Sequence, residues 1–227
     1  MTSTKKHIII FSHGFGVRKD DRGLFSDIAA SLTDSEPVLF DYNEVHEATN
    51  TLTVRPLGAQ AKMFKEILEN VRENNPDTLI DVICHSQGAL SVALLSPEGI
   101  RKTILIAHSF NPDIDRMVSL FKSRPGTEIH FDGTSKLSRL DGSTTIVPAE
   151  YWEEYERVRP IDLYNSFAER TELTIVIAKQ DEILGHRDTR GLNAKINIVE
   201  LDGAHNFAGE PRKILLNELK NVLQSNT

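Results

Sequence analysis

Ser86 stands in Cys84-His85-Ser86-Gln87-Gly88, between an apolar run that ends at Cys84 and a segment of helical period. A serine on such a sharp strand-to-helix turn is lifted clear of the backbone, and small neighbours relieve the crowding there. Its hydroxyl would lie at a helix N-terminus, whose N–H groups and dipole favour developing negative charge. A serine hydroxyl is a weak nucleophile at neutral pH, so it needs a base, and the base needs an acid to orient it. Asp181 directly follows a second β-type run, and His205 follows the last one in Asp202-Gly203-Ala204-His205. The chemistry these three support is acyl transfer: Ser86 attacks, His205 carries the proton, and Asp181 holds the imidazole.

A fourth part lies in Phe11-Ser12-His13-Gly14-Phe15-Gly16, an apolar strand ending in two glycines that let the backbone approach a substrate oxygen. The backbone N–H groups of Phe15 and Gln87 are the expected oxyanion hole. His13, Gly14, His85 and Trp152 are candidates for substrate contact, with His13 bracing the oxyanion loop and His85 packing beside the serine turn. Glu182 and Asp202 compete with Asp181 as the acid, and Asp181 is preferred because it takes the first turn position after its strand. His186 is expected at the surface. Cys84 is expected to be a small buried hydrophobe rather than a thiol nucleophile. The histidine spacings match no metal motif, so no metal is expected. Arg18, Lys19 and Arg22 would attract an anionic substrate, but a solvated charged loop is the favoured reading. Trp152, Tyr151 and Tyr155 would line a pocket or pack the segment that holds them.

Short runs rich in β-branched residues recur, most followed by a helix-period segment, which predicts an α/β fold with a mainly parallel sheet of about six strands. Strands are expected near residues 8–12, 38–42, 79–84, 103–107, 173–178 and 196–201, and helices near 23–32, 57–73, 87–95 and 211–223. In the second helix Phe64, Ile67, Leu68 and Val71 recur at i, i+3, i+4 and i+7 and make one buried face. Residues 109–170 break the rhythm and are expected to be a cap insertion within a single domain. Within it, 127–131 and 143–147 read as short strands and 148–167 as a helix-like piece.

The His-Gly-x-Gly segment, the His85-Ser86-Gln87-Gly88 turn, the late Asp181 and the final Gly203-Ala204-His205 resemble the α/β-hydrolase superfamily over nearly the whole chain. Residues 109–170 fall where that superfamily inserts its cap. Within it the sequence is most similar to small esterases of the cinnamoyl/feruloyl-esterase and serine-aminopeptidase-like type, whose cap also carries short strands. There are three departures. Cys84 stands where the elbow has its first glycine. Lys179-Gln180 replaces the glycine common before the acid. The chain starts at the strand leading to the oxyanion loop, without a counterpart of the two antiparallel edge strands, which leaves an edge for a partner to cover and makes a homodimer an option.

With 26 basic against 33 acidic residues, a net charge of −7 and no long basic block, nucleic-acid and polybasic membrane partners are disfavoured. The single cysteine, Cys84, forms no internal disulfide and suits a reducing, cytoplasmic setting. No run approaches the ~18 apolar residues of a membrane span. The resemblance implies a serine carboxylesterase working through an acyl-enzyme on a small ester, with no cofactor. The same triad also serves a thioesterase, amidase, carbon–carbon hydrolase or acyltransferase. A non-catalytic ligand-binding protein on the same fold would be favoured by a missing triad member, and none is missing.

Overall fold

The computed structural model describes residues 6–185 and 188–225, so His186 lies outside the described residues. In chain order the elements are β1 (His7–Ser12), α1 (Leu24–Ser31), β2 (Glu36–Leu39), β3 (Glu44–His46), β4 (Thr51–Thr53), α2 (Leu57–Asn74), β5 (Leu79–His85), α3 (Gly88–Leu95) and β6 (Lys102–Ile106). They continue with α4 (Ile114–Lys122), β7 (Ser135–Ser138), β8 (Thr144–Val147), α5 (Ala149–Arg157), α6 (Pro160–Phe167), β9 (Glu172–Ala178), β10 (Asn197–Leu201) and α7 (Glu210–Gln224).

Six strands form one parallel sheet in the order β10-β9-β6-β5-β1-β2. Both faces are covered, which is why the central strands are apolar at consecutive positions. On β1 the two faces alternate as expected for a strand. Ile8 and Ile10 pack with α2 and α3 residues such as Phe64 and Leu90, while Ile9 and Phe11 pack with Phe25 of α1 and Leu215 of α7. Each such side chain, fully buried, stabilises the fold by about 1.5–3 kcal/mol. The chain leaves β1 towards β2 on one side and returns to β5 on the other. The strand order therefore reverses between β1 and β5, and the crevice at their C-terminal ends is the place where such sheets bind ligands.

A second, smaller sheet in the order β3-β4-β8-β7 lies apart from the first. It joins two hairpins through a parallel β4–β8 pairing, with Thr51, Leu52 and Thr53 opposite Thr144, Thr145 and Ile146. Residues 44–53 were not expected to form strands, nor 114–122 a helix. The strand expected over 38–42 sits earlier, as β2. Residues 127–131 form no strand and make only the single bridge Glu128 to Lys136. The hairpin partner of β8 is instead β7, because the turn at Asp141-Gly142 closes the shorter loop, with the Arg139 amide bonded to the Ser143 carbonyl at 2.9 Å. The helix-like piece 148–167 is two helices. Pro160 disfavours helical backbone at the residue before it, and Arg159 sits at φ −123° between α5 and α6.

Candidate active site

Ser86 follows β5 with φ +51°, a left-handed conformation that is sparsely populated for a residue with a Cβ. Two things hold it there. Its amide donates to the Ile106 carbonyl at 2.9 Å. Next along the chain, Gly88 lets α3 press onto the end of β1: a Cβ on Gly88 would stand 2.2 Å from the Ser12 carbonyl oxygen and 2.6 Å from that of His13. Cys84 lies in the regular part of β5, fully buried in the core, and burial pushes its thiol pKa up. It is a packing residue, as expected.

Asp181 lies just beyond β9, where its Oδ1 accepts the amides of Ile183 and Leu184 at 3.0 and 2.8 Å. Its Oδ2 is 2.8 Å from Nδ1 of His205, whose Nε2 lies 3.1 Å from the Ser86 Oγ. Nδ1 therefore donates to the carboxylate and Nε2 is left to accept from the serine, which is the neutral form. Burial favours that form and lowers the His205 pKa; the bond to Asp181 raises it, and the charge on His85 opposes that rise. The competing acids have other work. Glu182 accepts the His205 backbone amide at 3.0 Å, and exposed Asp202 is held by Gln180 at 3.2 Å. Gln180 also accepts the Gly203 amide and donates its own amide to the Gly203 carbonyl, so Lys179-Gln180 ties the acid loop to the histidine loop.

The loop after β1 is fixed on every side but one. The Gly14 amide donates to Asp21 Oδ2 at 2.8 Å, the Gly14 carbonyl accepts from His13 Nδ1 at 3.0 Å, and the Phe15 carbonyl accepts from Arg139 Nη2 at 3.0 Å. His13 also accepts the Tyr42 amide on Nε2, so it is a buried neutral brace and does not line the cavity. Among the described residues the amides of Phe15 and Gln87 have no hydrogen-bond acceptor, although both residues border the cavity beside Ser86.

His85 and Asp21 form a buried pair that sequence reasoning did not foresee. Nδ1 of His85 is 2.8 Å from Asp21 Oδ2 and Nε2 is 3.1 Å from the His205 carbonyl oxygen. Both partners are acceptors, so both ring nitrogens donate and His85 is an imidazolium. Burial alone would lower its pKa, yet the charge and hydrogen bond of Asp21 outweigh that and raise it. Burial likewise opposes the charge on Asp21, but His85 and the Gly14 amide bring its carboxyl down to about 2. This one pair joins the Gly14 loop, the serine turn and the histidine loop.

The cavity over Ser86 measures about 810 Å³ and is roofed by Met117, Leu120 and Phe121 of α4 and by Tyr155 of α5. Of the residues expected to contact substrate, Gly14 and His85 border the cavity. Trp152 does not: it is buried behind the roof, with its indole N–H donating to Ser135 Oγ at 3.0 Å. An indole needs a partner for its N–H once buried, and the partner available faces the small sheet rather than the cavity. Tyr151 is buried beside it. Arg18 pairs with Glu47 away from the cavity, whereas Arg22 borders it. No helix is long and apolar enough to cross a membrane, and no cluster of metal-binding side chains occurs, among the described residues.

A parallel sheet with a serine turn after β5 and its histidine and acid at neighbouring strand ends defines the class, an α/β hydrolase. The chain belongs to the family described as alpha/beta hydrolase of unknown function (DUF900), whose model matches residues 1–186. The stretch that carries His205 lies outside that match. A search of curated proteins found no match. Among solved structures, Est1E from Butyrivibrio proteoclasticus with ferulic acid bound is similar at a TM-score of 0.73 and 18% identity, covering 96% of this chain and 88% of that one. The esterase domain of a Rhodothermus marinus protein gives 0.66 and 16%, covering 98% and 88%. The monoacylglycerol lipase of Paleococcus ferrophilus gives 0.66 and 14%, covering 95% and 93%.

Proposed function

We propose that the protein is a serine hydrolase that cleaves a carboxylic ester through an acyl-enzyme. The observation that carries this is the continuous hydrogen-bonded chain from Asp181 through His205 to Ser86, under a cavity large enough for a small organic ester. His205 Nε2 removes the Ser86 proton as Oγ attacks the carbonyl, and the Phe15 and Gln87 amides receive the oxyanion. The imidazolium then protonates the departing alcohol oxygen as the ester C–O bond breaks. Water, deprotonated by His205, attacks the acyl-enzyme and releases the acid and the Ser86 hydroxyl. The likeness to Est1E, seen with ferulic acid, supports an ester rather than another acyl bond as the first substrate class to test.

The test is hydrolysis of a 4-nitrophenyl ester series from acetate to palmitate, together with labelling by a fluorophosphonate probe, for wild type and Ser86→Ala. Ester turnover and labelling should both depend on Ser86. Equal labelling of the two proteins would remove Ser86 as nucleophile, and labelling without turnover of any ester would move the reaction to another acyl bond.

A further inference from the structure

Four arginines, Arg22, Arg116, Arg124 and Arg139, border the cavity over Ser86 in a chain whose net charge is −7. Among the described residues none of the four has a carboxylate within ion-pair distance, whereas Arg18, Arg55, Arg101 and Arg212, all outside the cavity, each do. Arg116 is occupied by backbone, donating to the carbonyls of Glu182 and Ile183 at 2.8 and 2.5 Å. Arg124 and Arg139 gather around Phe15 and Phe121, and Arg22 borders the same cavity close enough to Arg139 to repel its charge.

Two guanidinium groups lie over the Phe121 ring, Arg124 4.6 Å and Arg139 5.2 Å from its centroid. Arg139 is also 5.5 Å from the Phe15 centroid. Two of its nitrogens are committed, Nε to Thr145 Oγ1 at 2.8 Å and Nη2 to the Phe15 carbonyl at 3.0 Å; Nη1 bonds to no described residue. The approach of Arg139 is built into the chain, because a Cβ on Gly16 would stand 1.9 Å from Nη2. Burial, then the like charges of Arg22 and Arg124, oppose its protonation and bring its pKa down to about 10, with Asp141 offsetting part of this. Asp141 is itself engaged by the Ser143 amide and hydroxyl and makes no ion pair among the described residues. Asp21, Asp113 and Glu182 also border the cavity, but each is engaged elsewhere, Asp21 by His85 and the Gly14 amide, Asp113 by the Arg116 amide and Glu182 by the His205 amide. Arg139 therefore faces two like charges and one offsetting acid, a repulsion that an incoming anion relieves.

The arginines and the nucleophile face one cavity. A Cβ on Gly14 would touch the Ser86 Cβ at 3.2 Å, and Gly16, against which Arg139 packs, is two residues further on. Ser86, Phe15, Phe121 and the three arginines all border that cavity, so an apolar spacer lying on Phe15 and Phe121 can join an oxyanion at the guanidinium groups to a carbonyl at Ser86.

We propose that the substrate carries an oxyanion, a carboxylate or a phosphate, joined to its scissile bond by an apolar spacer, and that Arg22, Arg124 and Arg139 bind it; this rests on the assignment of Ser86 above. Guanidinium forks match both oxyanions and reject a neutral isostere by leaving their own N–H groups unpaired. The arginine nearest the oxyanion loop, Arg139, also holds the Phe15 carbonyl, so the two more peripheral arginines are the ones to vary.

Two measurements test this separately from the hydrolase assignment. In the first, kcat/KM is compared for 4-nitrophenyl hemiglutarate and its neutral match, 4-nitrophenyl valerate, in wild type and in the Arg22→Gln/Arg124→Gln double variant. Wild type should prefer the anion by about tenfold or more, and the variant's preference should fall towards parity. In the second, calorimetry on Ser86→Ala follows binding of the uncleaved amides N-phenylglutaramate and N-phenylpentanamide, and of a phosphonate of the same length, before and after the arginine substitutions. Tighter binding of either anion that the substitutions abolish supports the site, and the stronger of the two identifies the oxyanion. Equal binding of anion and neutral amide, or binding unaffected by the substitutions, overturns it. Ser86-dependent turnover with no anion preference leaves the hydrolase and removes the subsite. Arginine-dependent anion binding without turnover of either ester does the reverse. Arg22→Gln alone, at an exposed position, serves if the double variant does not fold.

Discussion

Replacing Asp21 by asparagine keeps the shape of the side chain and removes its charge, so it isolates what the buried pair with His85 contributes. The carboxyl titrates at about 2 against its ordinary 3.8, and at about 1.36 kcal/mol per pH unit the difference is worth about 2 kcal/mol of folding free energy at neutral pH. Because the value is depressed, this stability is present above the ordinary value and is lost as the pH falls towards the folded one. His85 is raised above 6.5, so its share is full below 6.5 and is lost as the pH rises through its folded value. The deficit of Asp21→Asn should therefore be largest in mildly acidic solution and smaller in alkaline solution. At about 2–4 °C per kcal/mol for a chain of this size, the melting temperature should fall by about 4–8 °C near pH 6. Thermal melts followed by circular dichroism at about pH 6 and pH 9 read both quantities. Turnover should fall as well, because an asparagine oxygen can accept the Gly14 amide and His85 as Oδ2 does but leaves the buried imidazolium without its counter-charge, loosening the link between the Gly14 loop and the serine turn. A melting temperature within about 1 °C of wild type near pH 6, or a deficit that grows with pH, would refute the ion-pair assignment.

The pH dependence of kcat/KM should show an acidic limb below 6.5, because His205 must be neutral to act and burial lowers its pKa; an inflection above 6.5 would remove it as the base. Gly88→Ala should destabilise the protein by about 1–3 kcal/mol despite alanine's better helix propensity, since the added methyl meets backbone rather than a movable side chain. It should also lower kcat, because the displaced Ser12-His13 segment carries the loop whose Phe15 amide is proposed to receive the oxyanion. An unchanged urea midpoint with full activity would show that α3 and β1 can separate freely.

The residues at strand ends were legible because β1, β5 and β9 are apolar along most of their length and bounded by turn chemistry, while β10, shorter and more exposed, ends at the Asp202-Gly203 turn; all four fall within a residue or so of expectation and bring Ser86, Asp181 and His205 with them. The small sheet was not. β3 and β4 are three residues each, and of the six only Leu52 is buried, so almost no period is written in their own sequence. Their register comes from β8, some ninety residues later. Helix α4 did carry a signal, because Asp113 caps it by accepting the Arg116 amide and Ile114, Met117 and Phe121 follow at helical spacing. The pairing of Asp21 with His85, 64 residues apart, has no local signature at all. Trp152 was misplaced for a related reason: an aromatic period shows that a face is buried, without showing which neighbour it is buried against.

The parallel ladder between β4 and β8 gives the roof a second attachment. Besides the two ends of residues 109–170, the roof is sewn to the β2–α2 connection by bonds that include the Val54 amide to the Ile146 carbonyl at 2.9 Å and the Thr144 amide to the Asn50 carbonyl at 3.1 Å. Residues 109–170 are consequently no transplantable module. Exchanging them alone would leave β4 paired only to β3, with a raw strand edge against the new segment. In this chain the segments 44–53 and 109–170 are one folded unit, and a graft that keeps the roof's strands paired must carry both.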